Sequence, residues 1–177
     1  MKEYVSNRII AEPNWCVPAT LEMVLNHYGI KDITQYDIAN QLNIITDDDT
    51  TDHKKWGTQI DDNTFNDFFV NNNISLVENY ISIGQFMDDY FMVEKMEELL
   101  SEGITIICGF NYTWLYGNGE DTFQHVSIVT EILNRGNDVI LLDPGPKGAG
   151  YRTVKSNDLY YAIRASYDGL WCIRRKE

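Results

Sequence analysis

One stretch constrains the chain more than any other: Glu12-Pro13-Asn14-Trp15-Cys16-Val17-Pro18-Ala19-Thr20-Leu21-Glu22-Met23-Val24-Leu25-Asn26-His27-Tyr28-Gly29. Leu21, Val24, Leu25 and Tyr28 recur at helical spacing, so the stretch reads as an amphipathic helix with one buried face. Pro18 fits only the first turn, where no backbone donor is needed, and Gly29 ends the helix. Asn14 reads as the cap, which places Cys16 among the first helical residues. A thiol there feels the positive end of the helix dipole, which favours the thiolate. A buried structural cysteine fits the same position.

The chain has 177 residues and a formal net charge of -13. That length predicts one domain with a real core. The charge argues against nucleic acid and anionic membrane as partners and mildly favours a cationic one. No apolar run is long enough to span a bilayer, and Met1 to Asn7 carries no apolar signal segment. Cys16, Cys108 and Cys172 are an odd, widely spaced set, which disfavours a disulfide framework and a structural zinc site. A reduced, cytoplasmic setting is expected, with no metal and no cofactor.

Residues 1–13 read as extended. Thr34 to Asn43 reads as a second helix, with Thr34 and Asp37 in a capping arrangement. Ile45 to Gly57 reads as an acidic loop, with Asp47, Asp48, Asp49 and Asp52 around His53; it lacks the glycine and closing glutamate of a calcium loop. A third helix starts at Asp62 or Asn63 and ends at Asn71-Asn72-Asn73, a strand covers Ile74 to Ile81, and a fourth helix covers Gln85 to Glu102. The period then turns extended: Ile104 to Asn111, Gln124 to Leu133, Val139 to Leu142, Tyr151 to Lys155 and Leu170 to Arg175 read as strands. Trp114 to Asp121 reads as a loop with exposed aromatics, and Asn157 to Ile163 as a helical turn. Gly145 to Gly150 lacks the Gly-Lys-Ser/Thr ending of a phosphate loop and reads as a turn. Helices first (about 14–102) and strands afterwards (about 103–177) predict an α+β fold with a mainly antiparallel sheet.

A cysteine nucleophile needs a base in reach and a group to orient that base. The chain has only three histidines. His27 lies eleven residues along the Cys16 helix, roughly 16 Å down the axis and out of reach. His53 falls in the acidic loop. His125 falls where a loop enters a strand, a common place for functional groups. Asp143 ends the next strand, so antiparallel pairing can bring it beside His125. An aspartate before proline is also an ordinary turn residue, and spacing alone leaves both readings open.

Three segments, taken in order, resemble the papain-like fold of the bacteriocin-processing double-glycine cysteine peptidases and their stand-alone relatives. They are Cys16 through Pro18-Ala19 to Tyr28-Gly29, His125-Val126-Ser127-Ile128-Val129, and Leu142-Asp143-Pro144. The resemblance spans nearly the whole chain. It implies a single papain-like catalytic domain over 1–177, with N-terminal helices packed on the sheet. It also implies Cys16 as nucleophile, His125 as base and Asp143 as its orienter. Val17 stands where that family usually has glycine, and no glutamine precedes Cys16 to complete an oxyanion hole. Asn7, in Tyr4-Val5-Ser6-Asn7, is the first substitute and Asn14 the second.

The chemistry expected is acyl transfer through a Cys16 thioester. With water as acceptor the chain is a peptidase or amidase acting on a peptide or peptide-like substrate. With an amine as acceptor it is an amide-forming acyltransferase of a natural-product pathway, fed by a carrier-bound thioester and accepting a cationic amine. A third reading is an inactive peptide-binding module. Trp15, Trp114, Tyr116, Trp56 and the segment Asp47 to Asp52 are candidate walls of the cleft. Glu120 and Asp121 are candidates to hold the amine.

Overall fold

The computed structural model describes residues 9–46, 48–52, 55–117, 123–145 and 149–177. Asn7, Asp47, His53, Glu120 and Asp121 lie outside them.

Helix α1 spans Cys16–His27. It is not amphipathic as its spacing predicts: every residue from Val17 to Asn26 is buried. Polar side chains on its far side make this tolerable. The Asn26 amide donates to the Glu22 carbonyl at 2.9 Å, and the Gln35 amide donates to the Glu22 carboxylate at 3.1 Å. Burying Leu21, Val24 and Leu25 stabilises the fold by about 1.5–3 kcal/mol each. Gly29, at φ 86°, takes the left-handed turn that ends the helix.

Helix α2 is only Gln35–Ala39, shorter than its pattern predicts, and Thr34 and Asp37 form a reciprocal capping box. Strands β1 (Ile44–Ile45) and β2 (Gly57–Thr58) form a small antiparallel ladder where the sequence predicts only loop. The order then runs α3 (Thr64–Asn71), β3 (Leu76–Ser82), α4 (Asp89–Ser101), β4 (Thr105–Asn111), α5 (Tyr112–Tyr116), β5 (Gln124–Leu133), β6 (Asp138–Asp143), β7 (Gly150–Lys155), α6 (Ser156–Ser166) and β8 (Gly169–Arg175).

The main sheet has the order β3-β8-β4-β5-β6-β7, with every pairing antiparallel. Helices cover both faces. Ile107, Val126, Ile128, Leu142 and Trp171 pack with the residues of α1 and α3. Ile106, Cys108, Phe110, Val129 and Leu141 pack with those of α4 and α6. Strand β4 is therefore buried along its whole length, which explains its unbroken apolar run. Trp171 ties the layers together, its indole N–H donating to the Asp61 carbonyl at 2.8 Å.

Two elements depart from the division into helical and sheet parts. Strand β3, from the helical part, pairs with the closing strand β8. Helix α6, from the sheet part, is a full helix rather than a single turn; it ends at Tyr167 in the left-handed conformation, so no glycine announces its end. No helix among the described residues is long and apolar enough to cross a membrane.

Candidate active site

Cys16 is the first residue of α1 and is partly exposed. The preceding backbone corrects the predicted cap. Trp15, not Asn14, is the capping residue, and no side chain caps the helix. Asn14 sits at φ 67°, a left-handed turn that asparagine tolerates, and that conformation removes it from the cap position. Pro18 has no backbone donor, and the Ala19 N–H bonds the Trp15 carbonyl at 3.0 Å. The N–H groups of Cys16 and Val17 are thus what the positive end of α1 presents.

His125 enters on the second residue of β5, opposite Phe110 of β4. Asp143 closes β6, which pairs with β5 through Ile128 and Leu142, so the two side chains meet across adjacent strands. His125 Nε2 lies 3.0 Å from Asp143 Oδ1, and both residues are buried, at 2% and 0% exposure. Asp143 also accepts the Gly145 N–H at 2.8 Å and the Tyr116 hydroxyl at 3.2 Å. The aspartate is thus also a turn residue: one carboxylate accepts the N–H of its own Asp-Pro-Gly turn and bonds the imidazole. Phe110, Tyr112 and Phe123 surround the ring, with centroids 5.5, 5.2 and 6.4 Å away.

With Nε2 bound to Asp143, only Nδ1 remains, and it is buried without a completed hydrogen bond. The Cys16 thiol is the other group that interacts with this ring. Burial alone pushes the imidazole pKa down. The hydrogen bond to Asp143 and the interaction with Cys16 outweigh it and raise the pKa to about 9. Burial pushes the Cys172 thiol up to about 12 and the Cys108 thiol higher still, so neither is a nucleophile at neutral pH.

Two depressions meet at Cys16 and His125. One, a narrow depression of about 50 Å³, is also lined by Val17, Trp56, Thr58, Gln59 and Asp168. The other, about 370 Å³, is lined by Ile10 to Asn14, Phe123 and Gly145. Its wall is a strap that bends at Ala11 and Glu12 and turns at Pro13 and Asn14, where the sequence predicts extended chain as far as Pro13, and it is held through its backbone atoms. The Gln35 carboxamide accepts the Ala11 N–H at 3.0 Å and donates to the Ile9 carbonyl at 3.0 Å, and the Ile10 N–H bonds the Pro144 carbonyl at 3.1 Å.

Three fold relations define the candidate site. The cysteine opens a central helix, the histidine starts a strand, and the aspartate closes its neighbour. A model of the Peptidase_C39 like family matches residues 3–170. The chain belongs to that family. Among solved structures it is similar to a candidate C39-like peptidase from Bacillus anthracis, with a TM-score of 0.65 and 12% identity over 100% of this chain and 98% of that one. At that identity the likeness establishes the shared α+β, papain-like fold. No curated protein matches the chain.

The predicted site residues separate within this C39-like fold. Cys16, His125 and Asp143 come together. Asn14 lines the larger depression beside Cys16. The other oxyanion candidate, Asn7, lies outside the described residues. Trp15 packs edge-on against Tyr36 at 4.9 Å instead of facing either depression. Trp114 is 60% exposed and lines neither, because it sits on α5, a short helix capped by Asn111, rather than on a loop. Tyr116, predicted in the cleft wall, stands behind Asp143, with Arg152 stacked over its ring at 4.5 Å. Burial holds the Tyr116 phenol well above its usual range, so it remains a donor. Sequence reasoning missed Gln59 and Asp168, which the fold carries to Cys16 from distant segments with no motif of their own. Among the described residues no cluster of His, Cys, Asp or Glu is placed to hold a metal ion.

The position of Tyr116 makes a specific prediction. Tyr116→Phe removes one donor to Asp143 and leaves two. It is expected to lower kcat severalfold, with KM unchanged, because loss of one such bond costs about 1 kcal/mol. A rise in KM alone would return Tyr116 to the substrate side.

Proposed function

We propose that the chain is a cysteine peptidase acting on a peptide substrate as one catalytic domain, with Cys16 as nucleophile, His125 as acid and base, and Asp143 as the residue that positions His125. The observation that carries this reading is the division of labour on one imidazole. Nε2 is committed to a buried carboxylate, and Nδ1 is left for the thiol. Asp143 fixes the tautomer and supports the imidazolium. His125 takes the thiol proton, and the Cys16 sulfur attacks the scissile carbonyl. The oxyanion faces the Cys16 N–H at the positive end of α1, with the Asn14 carboxamide on the same cleft wall. As the C–N bond breaks, Nδ1–H protonates the leaving amine and a thioester remains. Water, deprotonated by His125, then releases the acid and restores the thiol. The inactive-module reading does not account for a buried imidazole kept short of one partner beside a cysteine.

Iodoacetamide tests the nucleophile. Cys16 is expected to be alkylated at least a hundredfold faster than Cys108 or Cys172, read by peptide mass mapping; equal rates would count against the assignment. The fate of the thioester is a separate measurement. The acyl-enzyme is trapped, and its decay is followed by intact mass with and without an added diamine. Decay to free acid at one rate, whatever the amine, fits hydrolysis. Faster decay with a new amide product would make the chain an acyltransferase.

A further inference from the structure

We propose that the smaller depression beside Cys16 is a specificity subsite for a cationic side chain of the substrate, lysine or arginine, with Asp168 as its charged end. The inference rests on the peptidase reading above, since it uses Cys16 as the point where substrate bonds.

The lining has the chemistry of such a side chain. Val17, Trp56, Ile60 and Val126 supply apolar and aromatic surface for a methylene stem. Asp168 supplies one carboxylate. Among the described residues no lysine or arginine forms an ion pair with it. Its side-chain support is the Ser166 hydroxyl, a neutral partner. Thr58, on the same wall, has a buried hydroxyl without a hydrogen-bond partner.

The fold makes room for this carboxylate. Gly109 lies in the middle of the buried strand β4, where a glycine is costly. A Cβ there would come within 2.9 Å of the Asp168 carboxyl and of the Trp171 ring. The absent side chain is what seats Asp168 against the sheet. Burial pushes the Asp168 pKa up to about 6, so at neutral pH the group is ionised but poorly solvated. A cation in the depression would restore the lost solvation, whereas a neutral isostere would leave the carboxylate as it was.

The experiment uses two series of small peptide electrophiles that alkylate Cys16. Peptidyl chloromethyl ketones extend toward the acyl side and N-chloroacetyl peptides toward the leaving-group side. In each, the residue beside the warhead and the next one are varied as lysine, arginine, norleucine or glutamate. The readout is the second-order rate of Cys16 modification by intact mass. In one series lysine and arginine should exceed norleucine by at least tenfold, with glutamate slowest. Asp168→Asn should bring that ratio within about twofold, whatever it does to the iodoacetamide rate at Cys16. The lysine-to-norleucine ratio in the unmodified protein is itself a test, so the proposal stands or falls even where the variant is unstable. Equal rates for all residues in both series, or a cation preference that Asp168→Asn retains, would overturn the subsite and leave the peptidase reading intact. A Cys16 that reacts with none of the peptides and no faster than Cys108 with iodoacetamide would overturn both.

Discussion

Replacing Cys16 with alanine is expected to abolish turnover while leaving the fold in place. The loss should be on the order of 10⁴-fold or more, because the bond-forming atom is gone and no other thiol reaches the cleft. Stability should change by about 1 kcal/mol or less. The side chain is small and partly exposed, and alanine is the best helix former at a helical position. Measured kcat and Tm give the two halves of the prediction. Residual activity within tenfold of the parent would mean that chemistry occurs elsewhere; a collapse in Tm would mean that the cysteine is structural.

The second large effect belongs to His125 and Asp143 acting as one unit. His125→Ala should cost on the order of 10³-fold or more in kcat, and Asp143→Ala about an order of magnitude less. The double variant should lie close to His125→Ala, since the carboxylate works only through the ring. Losses that add on a logarithmic scale would separate the two residues. Asp143→Ala also strands the Tyr116 hydroxyl and the Gly145 N–H, so Asp143→Asn, which keeps an acceptor, is the cleaner probe. The pH profile gives its sign. Asp143 raises the His125 pKa, so activity that needs the imidazolium should fall as pH rises through about 9. In Asp143→Asn that alkaline limb should move down toward 6.5, the unperturbed value. The same linkage governs stability. The contribution of the raised His125 pKa is complete below 6.5 and is lost as pH rises through about 9.

The placement of the candidate site is legible in the sequence because each of its members ends or begins an element. Cys16 opens a helix punctuated by Pro18, His125 starts a strand whose limits, Gln124 to Leu133, were read correctly, and Asp143 precedes a proline. The capping box of Thr34 and Asp37 was legible for the same reason, since its chemistry is local. What escaped depends on contacts between distant segments. Tyr116 looked exposed because Gly117-Asn118-Gly119 reads as loop; its role comes from α5 folding back so that the hydroxyl meets Asp143, a residue 27 positions away. The burial of α1 on all sides could not be read from its own period, because it depends on α2 and on both edges of the core. Asp168 carries no motif; the close packing of its carboxyl against Gly109 becomes visible only in the fold.

The strap before Cys16 has a consequence for how this enzyme can diverge. Its anchors to Gln35 and Pro144 use backbone atoms of residues 9–11, and the side chains of Ala11, Glu12 and Pro13 are exposed. Mutation can therefore rewrite the chemistry of that cleft wall, one residue at a time, without shifting its path or loosening the nucleophile. Drift at residues 11–13 is nearly free of folding cost, whereas drift at Gln35 is not: losing its carboxamide would release the wall and strand buried donors and acceptors together. A lineage built on this fold would thus explore new substrates through the strap while holding Gln35 fixed.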